Sequence, residues 1–419
     1  MRVFKFGGAS VKDADAIKKV AAIIKSHEGQ SLLVVISAMG KTTNALENLI
    51  KLHDAGRSHS QDLENLIGYH TAIVRDLFDN PHPLIRELDE VKIQIEIALN
   101  MVPSNSDLIY DQVVSLGEIL STKIVSAYFN EIGISTLWAD ARKLILTDDC
   151  YREAKIDWGK SNEQINALAE IINEKIVVTQ GFIGSEKNGY STTLGREGSD
   201  FSAAIFASCL NAESVTIWKD VPGVMSADPK RLPTATVFDE LPFKEAAEMT
   251  YYGASVIHPK TIKPLANKGI PLFVKNFDNV RLPGTLIHEC KVDKLPPLIV
   301  FKDQQCLVSC QVTDYTFIEE SQIGIIFNAL SSRGLKVNLM QNSAISFSFC
   351  LDFKEEKIMS LIQELGKDFE VYYNTGLTLI TIKNYDEESF EKYRKQKDVV
   401  LEQSSRSTLQ VLIRSQQSL

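Results

Sequence analysis

Five stretches of this sequence set groups able to hold an anion beside backbone that can turn sharply. In Lys5–Ser10 (KFGGAS) a lysine precedes Gly7 and Gly8, so successive N–H groups can aim at a phosphate or carboxylate next to a full positive charge. Ser37, Thr43 and Asn44 follow the apolar run Leu32–Ile36, at the strand end where α/β folds seat ligands. Ser191–Phe201 (STTLGREGSDF) combines hydroxyls, two glycines and Arg196 ahead of a helical pattern. There Ser199 is expected to be the helix N-cap, with Asp200 in the first turn complementing the helix dipole. Ile217–Lys230 reads as a strand, a Pro-Gly turn and a polar loop, and carries Lys219, Asp220, Met225 and Lys230. In Tyr251–Thr261, His258 precedes Pro259 and reads as a helix-start residue and not a catalyst. Gly40-Lys41-Thr42 imitates the end of a phosphate-binding P-loop, but Val35 stands where that motif needs its first glycine, so the P-loop is rejected. Neither the seven histidines nor the six cysteines show metal-ligand spacing.

The elements that must position these groups are short β-rich runs alternating with helical stripes. Val3–Phe6, Leu32–Ile36, Thr136–Trp138, Ile176–Thr179, Val215–Trp218 and Pro271–Val274 read as strands, and Ile17, Val20, Ala21 and Ile24 form a helical stripe. Apolar runs without alternation predict strands buried on both faces, hence a mostly parallel sheet covered by helices. Residues 51–105, with the turn Asn80–Pro83, read as a helical insertion. A boundary is expected at 283–298, between Leu282-Pro283-Gly284 and Leu295-Pro296-Pro297. Beyond it Gln305–Val312, Ile323–Leu330, Val337–Met340, Phe347–Phe353, Ile358–Leu365 and Leu377–Ile382 give the β-α-β-β-α-β order of a ferredoxin-like module. Glu387–Lys395, Val399–Leu401 and Thr408–Ile413 look like most of a second copy. The predicted division is a first domain at 1–290, a module at 298–383 and a partial module at 384–419, with the linker strand 298–302 open to sharing between the modules.

The 419 residues are 44% hydrophobic and 24% charged, as expected of a globular protein of two to three domains. A net charge of −9 disfavours a nucleic-acid or anionic-membrane surface. No run approaches the apolar length of a membrane span, no signal peptide is expected, and the scattered cysteines read as reduced thiols. A cytoplasmic setting is the expectation.

Taken together, Lys5–Ser10, Thr192–Ser202, Trp218–Lys230 and Gly253–Thr261 resemble the aspartate kinases of the amino-acid kinase family in order and spacing, as do Ser115-Leu116-Gly117-Glu118 and Gln180–Gly184. The resemblance covers residues 1–290, and the remainder is similar to the paired ACT regulatory modules of those enzymes. It implies a three-layer α/β/α amino-acid kinase domain with a mostly parallel sheet, followed by ferredoxin-like (ACT) α+β modules. The implied activity is transfer of the ATP γ-phosphoryl group to the β-carboxylate of L-aspartate, the first step toward lysine, threonine and methionine. Mg²⁺ would arrive on the ATP phosphates.

By the same resemblance Lys5 is catalytic with Gly7 and Gly8 beside it, and Asp200 orients Lys5. Arg196 holds the α-carboxylate of aspartate and Glu118 its ammonium. Ser37, Thr43 and Ser199 supply hydroxyl contacts, Phe182 shapes the pocket, and Lys219, Asp220, Met225 and Lys230 meet the nucleotide. Four residues depart from the family pattern: Glu197 for a glycine, Lys219 for a threonine, Met225 for a tyrosine and Ser255 for a lysine. Asn338 and Ser343 lie in the effector-binding stretch, where neutral Asn338 and Ala344 replace the acidic residues of lysine-sensing relatives, so weak or absent lysine inhibition is expected, with threonine or no effector in its place. ACT pairing implies a homodimer or higher oligomer, and no fused homoserine dehydrogenase is expected after residue 419. Rival readings are a related amino-acid kinase with another acceptor, or a catalytically inert amino-acid sensor.

Overall fold

The computed structural model describes residues 1–79, 82–102, 105–253, 257–292, 294–313 and 316–414. Ser255 and part of the expected Asn80–Pro83 turn fall outside the described residues. The chain forms two compact units, one of Met1–Val224, Val237–Thr250 and Ser255–Val292, the other of Met225–Thr236, Tyr251–Ala254 and Asp293–Leu419.

The first unit is built on an eight-stranded sheet of β1 (Arg2–Phe6), β2 (Leu32–Ile36), β3 (Thr136–Ala139), β4 (Ile176–Gln180), β7 (Ser214–Lys219), β8 (Glu240–Pro242), β9 (Leu272–Asn276) and β10 (Thr285–His288). Its order is β3-β4-β2-β1-β7-β9-β10-β8. Only the β9–β10 pairing is antiparallel. From β1 the chain moves to one side through β2, β3 and β4, then returns to the other side of β1 with β7. That reversal opens a crevice at the carboxyl ends of β1, β2, β4 and β7. The apolar runs of β2 and β4 are buried at every position, as strands covered on both faces should be. A small hairpin of β5 (Ile183–Ser185) and β6 (Ser191–Thr193) sits beyond β4.

Strand alternation decides which residues meet the crevice. Phe4 and Phe6 enter the core that holds α1 (Ala14–Lys25), while Val3 and Lys5 face the opposite side, where α8 (Gly198–Cys209) packs on β1. The predicted helical insertion contains α3 (Ser60–Leu77) and α4 (Leu84–Leu99), which pack on each other and on α2 (Thr42–Asp54) and α5 (Ser106–Glu131). At Gly117 of α5 an added Cβ would lie 2.9 Å from Thr42 Cγ2, so glycine lets α5 and α2 approach closely and brings the next residue, Glu118, to the crevice.

The second unit is a six-stranded antiparallel sheet of β11 (Leu298–Gln311), β12 (Val337–Asn342), β13 (Ser346–Asp352), β14 (Glu370–Lys383), β15 (Val399–Ser404) and β16 (Thr408–Arg414), ordered β12-β13-β11-β14-β16-β15. The two 14-residue strands β11 and β14 run through the whole sheet, so Leu298–Phe301 and Gln305–Gln311 belong to one strand. A register shift between Lys302 and Gln305, with Gln304 at φ 57°, inserts one extra residue. It flips the alternation, so Ile299 packs beneath α13 (Glu387–Arg394) while Cys306, Val308 and Cys310 pack beneath α11 (Glu320–Ser332) and α12 (Glu355–Leu365). The α13 half of the sheet is further covered by Ala227, Leu232 and Ala235 of the segment Met225–Thr236.

Candidate active site

Lys5 is the fourth residue of β1 and pairs in register with Ile217 of β7, so Lys219, two residues farther along, shares its face. Both ammonium groups converge on Asp200. Lys5 Nζ lies 2.6 Å from Oδ1 and Lys219 Nζ 3.3 Å from Oδ2. Asp200 is 2% exposed and Lys5 8%. Burial pushes the Asp200 carboxyl up, but the Lys5 and Lys219 charges outweigh it and hold the group below the usual carboxylate range. These three groups, one anion between two cations, together carry a positive charge at the strand ends, in a cleft of about 630 Å³.

Asp200 is held there by the start of α8. The helix begins at Gly198 and its N-cap is Glu197, in the left-handed region at φ 54°. Ser199 is therefore inside the first turn and is not the N-cap; the expectation placed the helix start two residues too late, because nothing local announces the turned Glu197. Gly181 makes this packing possible: a Cβ there would lie 2.5 Å from Ser199 Cβ. Ser202 Oγ accepts the Phe182 N–H and donates to Gly198 O, fixing Phe182 at φ 69°. Glu197 Oε2 is buried without a hydrogen-bond partner. Burial pushes the Glu197 carboxyl up, and the nearby Lys219 charge opposes that rise.

Across the cleft stands Glu118, 3% exposed, with Oε2 buried and unpartnered. Burial pushes its carboxyl up to about 8, against the opposing pull of the Ala38 backbone N–H and the Lys5 charge. Ser37 follows β2, its N–H donating to Phe6 O and its carbonyl accepting from Ser121 Oγ. Thr43 lies in the first turn of α2. At Gly8 a Cβ would lie 2.6 Å from Ala38 O, so the turns after β1 and β2 touch backbone to backbone. Arg196 is exposed, and its guanidinium has no ion-pair partner among the described residues.

The cleft thus brings together Lys5, Gly8, Ser37, Thr43, Glu118, Phe182, Arg196, Ser199, Asp200 and Lys219 of the expected site. Gly7 does not line it; the nearest atom to its would-be Cβ is Lys5 Nζ, at 3.5 Å. Asp220 is exposed just past β7 and is not part of the lining. Met225 and the exposed Lys230 belong to the second unit. Asn338 is also in that unit, where its amide is committed to Lys302 Nζ, Gln305 Oε1 and Asp352 Oδ1. Ser343 Oγ bonds Ser346 Oγ. His258 caps α10 (Pro259–Ala266), its ring nitrogen accepting the Lys260 N–H, in the structural role its place before a proline suggests.

Sequence reasoning missed Tyr110, Arg152 and Glu153, which complete the cleft wall. The Arg152 guanidinium sits 4.0 Å from the Tyr110 ring centroid. Arg152 holds φ 69°, and its N–H donates to the buried Asp111, which also accepts from Thr193 N and Oγ1. This clip joins α5, β6 and the loop at 150, three segments distant in sequence, so no local pattern could have shown it.

A family model describing the amino acid kinase family matches residues 1–276. Lysine-sensitive aspartokinase 3 of Escherichia coli (strain K12) is 33% identical over 403 residues, covering 92% of this chain and 87% of the relative. Aspartokinase 1, chloroplastic, of Arabidopsis thaliana is 32% identical, covering 91% and 70%. This chain spans 42% of the bifunctional aspartokinase/homoserine dehydrogenase 2 of the same plant. The crystal structure of E. coli aspartokinase III in complex with aspartate and ADP, in its R-state, superposes with a TM-score of 0.86 at 30% identity, over 99% of this chain and 96% of that one. The T-state complex with lysine and aspartate gives 0.80, also at 30% identity and the same coverage.

Proposed function

The chain belongs to the aspartokinases of the amino acid kinase family, and from that premise we propose that its cleft uses ATP to phosphorylate the β-carboxylate of L-aspartate, yielding 4-phospho-L-aspartate and ADP. The observation that carries this reading is the buried Lys5–Asp200–Lys219 cluster facing Glu118 and Arg196 in one cleft.

Such a reaction needs no enzyme nucleophile and no general base, because the attacking carboxylate is already ionised near neutral pH. The protein's task is to hold two repelling anions in line and offset the charge spreading over the transferred oxygens. Lys5 and Lys219 do the second, and Asp200 fixes both ammonium groups so that they need not reorganise during transfer. The exposed Arg196 guanidinium clamps the α-carboxylate of aspartate, and Glu118 accepts from its ammonium. Ser37, Thr43 and Ser199 supply hydroxyls to the substrate oxygens.

Glu197 and Lys219 act as a linked pair of departures. The carboxylate that would repel the phosphates is half-buried, raised in pKa and set beside a cation that threonine would not provide. This supports an active kinase over an inert sensor. Mg²⁺ carried by ATP would neutralise part of the phosphate charge; Glu197, whose Oε2 has no hydrogen-bond partner among the described residues, is a hard oxygen donor that would help hold such a cation.

The second unit, an antiparallel sheet with helices packed on it, suits a pair of ACT-like modules that take an amino-acid effector and pair subunits into a homodimer. Because Asn338 is neutral and already committed to three partners, lysine inhibits weakly in this reading. Among the described residues no helix is long and apolar enough to cross a membrane. ADP release tests the assignment, with L-aspartate, L-glutamate, N-acetylglutamate and UMP compared side by side. Turnover with aspartate alone is expected. Preference for another acceptor moves the chain to a different kinase, and silence with all four makes it a sensor. Potent inhibition by lysine in the same assay would overturn the effector reading.

A further inference from the structure

We propose that Glu240, His288 and Cys290 form a binding site for one divalent cation of the zinc class, at the edge of the sheet in the first unit and apart from the catalytic cleft. In β10, Leu286 lies opposite Glu240 of the edge strand β8, and His288 lies opposite Pro242. Residues two apart on an extended chain share a face, so Glu240, Leu286 and His288 project to one side, and Cys290 follows two residues beyond His288. Their ligand atoms, a carboxylate oxygen, an imidazole nitrogen and a thiol sulfur, all lie within 4.8 Å of one another.

The donor set decides the ligand class. Magnesium and calcium take oxygen donors, whereas a mixed sulfur, nitrogen and oxygen set suits zinc and its neighbours. Tetrahedral ligands around zinc stand about 3.3–3.8 Å apart, given bonds of roughly 2.0–2.3 Å. Glu240 is exposed and the other two are half-buried, which leaves their side chains room to rotate toward that spacing.

Glu240 already gathers its partners, bonding the His288 imidazole through Nε2 and accepting from the Cys290 thiol. Metal binding replaces the thiol proton with the cation and releases that proton to solvent, leaving a Cys290 thiolate, a neutral His288 and the Glu240 carboxylate as three ligands. Exposure leaves the fourth position to water. The sequence gives His288 and Cys290 no recognisable metal spacing because the third ligand comes from a strand some fifty residues earlier in the chain.

The test is a Co²⁺ titration of the full-length, reduced, metal-stripped protein, read by absorption. One equivalent should bind, with a near-ultraviolet thiolate-to-cobalt charge-transfer band and the intense visible bands of tetrahedral cobalt, all bleached by Zn²⁺. Cys290→Ser should abolish the charge-transfer band, and His288→Gln should weaken binding at least about tenfold. Phosphorylation of aspartate by both variants in metal-stripped, Mg²⁺-containing buffer should stay at the wild-type rate. A wild-type protein without the charge-transfer band, or one whose band survives in Cys290→Ser, would overturn the site.

Discussion

Glu118 should make aspartate binding depend steeply on pH. In the free protein burial pushes its carboxyl up to about 8, so at neutral pH it is mostly protonated. Only the carboxylate can pair with the substrate ammonium, so binding must first remove that proton. The apparent dissociation constant is then the intrinsic one multiplied by one plus the ratio of protonated to ionised Glu118. For a pKa of about 8, that factor is about 100 at pH 6 and about 11 at pH 7, and it vanishes above pH 9, at roughly 1.4 kcal/mol per pH unit. The sign follows from the raised pKa: affinity rises with pH through 8 and then levels. About 0.9 proton should leave per aspartate bound at pH 7, from the same ratio. Calorimetry of aspartate binding in the presence of ADP, in buffers of differing ionisation enthalpy, reads the proton directly, and KM for aspartate from pH 6 to 9 reads the affinity. Glu118→Gln should bind weakly with no pH dependence over this range. A wild-type KM that is flat between pH 6 and 8, with no buffer-dependent heat, would show that Glu118 is ionised beforehand or does not meet the ammonium.

Removing the Lys5 cation by Lys5→Ala should lower kcat about 10²–10³-fold with the fold intact; normal turnover would take Lys5 out of the mechanism. Glu197→Gly and Lys219→Thr should each impair ATP turnover, while the double variant recovers part of the loss. A thermodynamic cycle should return a coupling of about 0.5–3 kcal/mol, and strict additivity would deny the compensation. Gly181→Ala forces its Cβ to within 2.5 Å of Ser199 Cβ. That overlap should cost about 1–3 kcal/mol of stability and raise KM for aspartate, seen by thermal unfolding and initial rates; wild-type values in both would mean that the loop moves aside freely.

Much of the first unit was determined by sequence alone, because its information is local. The apolar run Leu32–Ile36 and the β-rich run Ile176–Thr179 read as strands covered on both faces, and a parallel sheet puts its ligand at the carboxyl strand ends. Lys5 ahead of Gly7 and Gly8, and Asp200 in a first helical turn, were legible for the same reason. Tertiary structure alone decided how these pieces meet. The register of β7 against β1 sets Lys219 beside Lys5 on one carboxylate, and Asp111 clips Arg152 into the cleft wall from another helix. The left-handed turn at Glu197 moves Ser199 from the cap into the helix. Burial, which depends on every neighbour at once, sets the protonation of Glu118. Each of these rests on a distance or a dielectric environment shared by residues far apart along the chain, and such quantities exist only once the chain has folded.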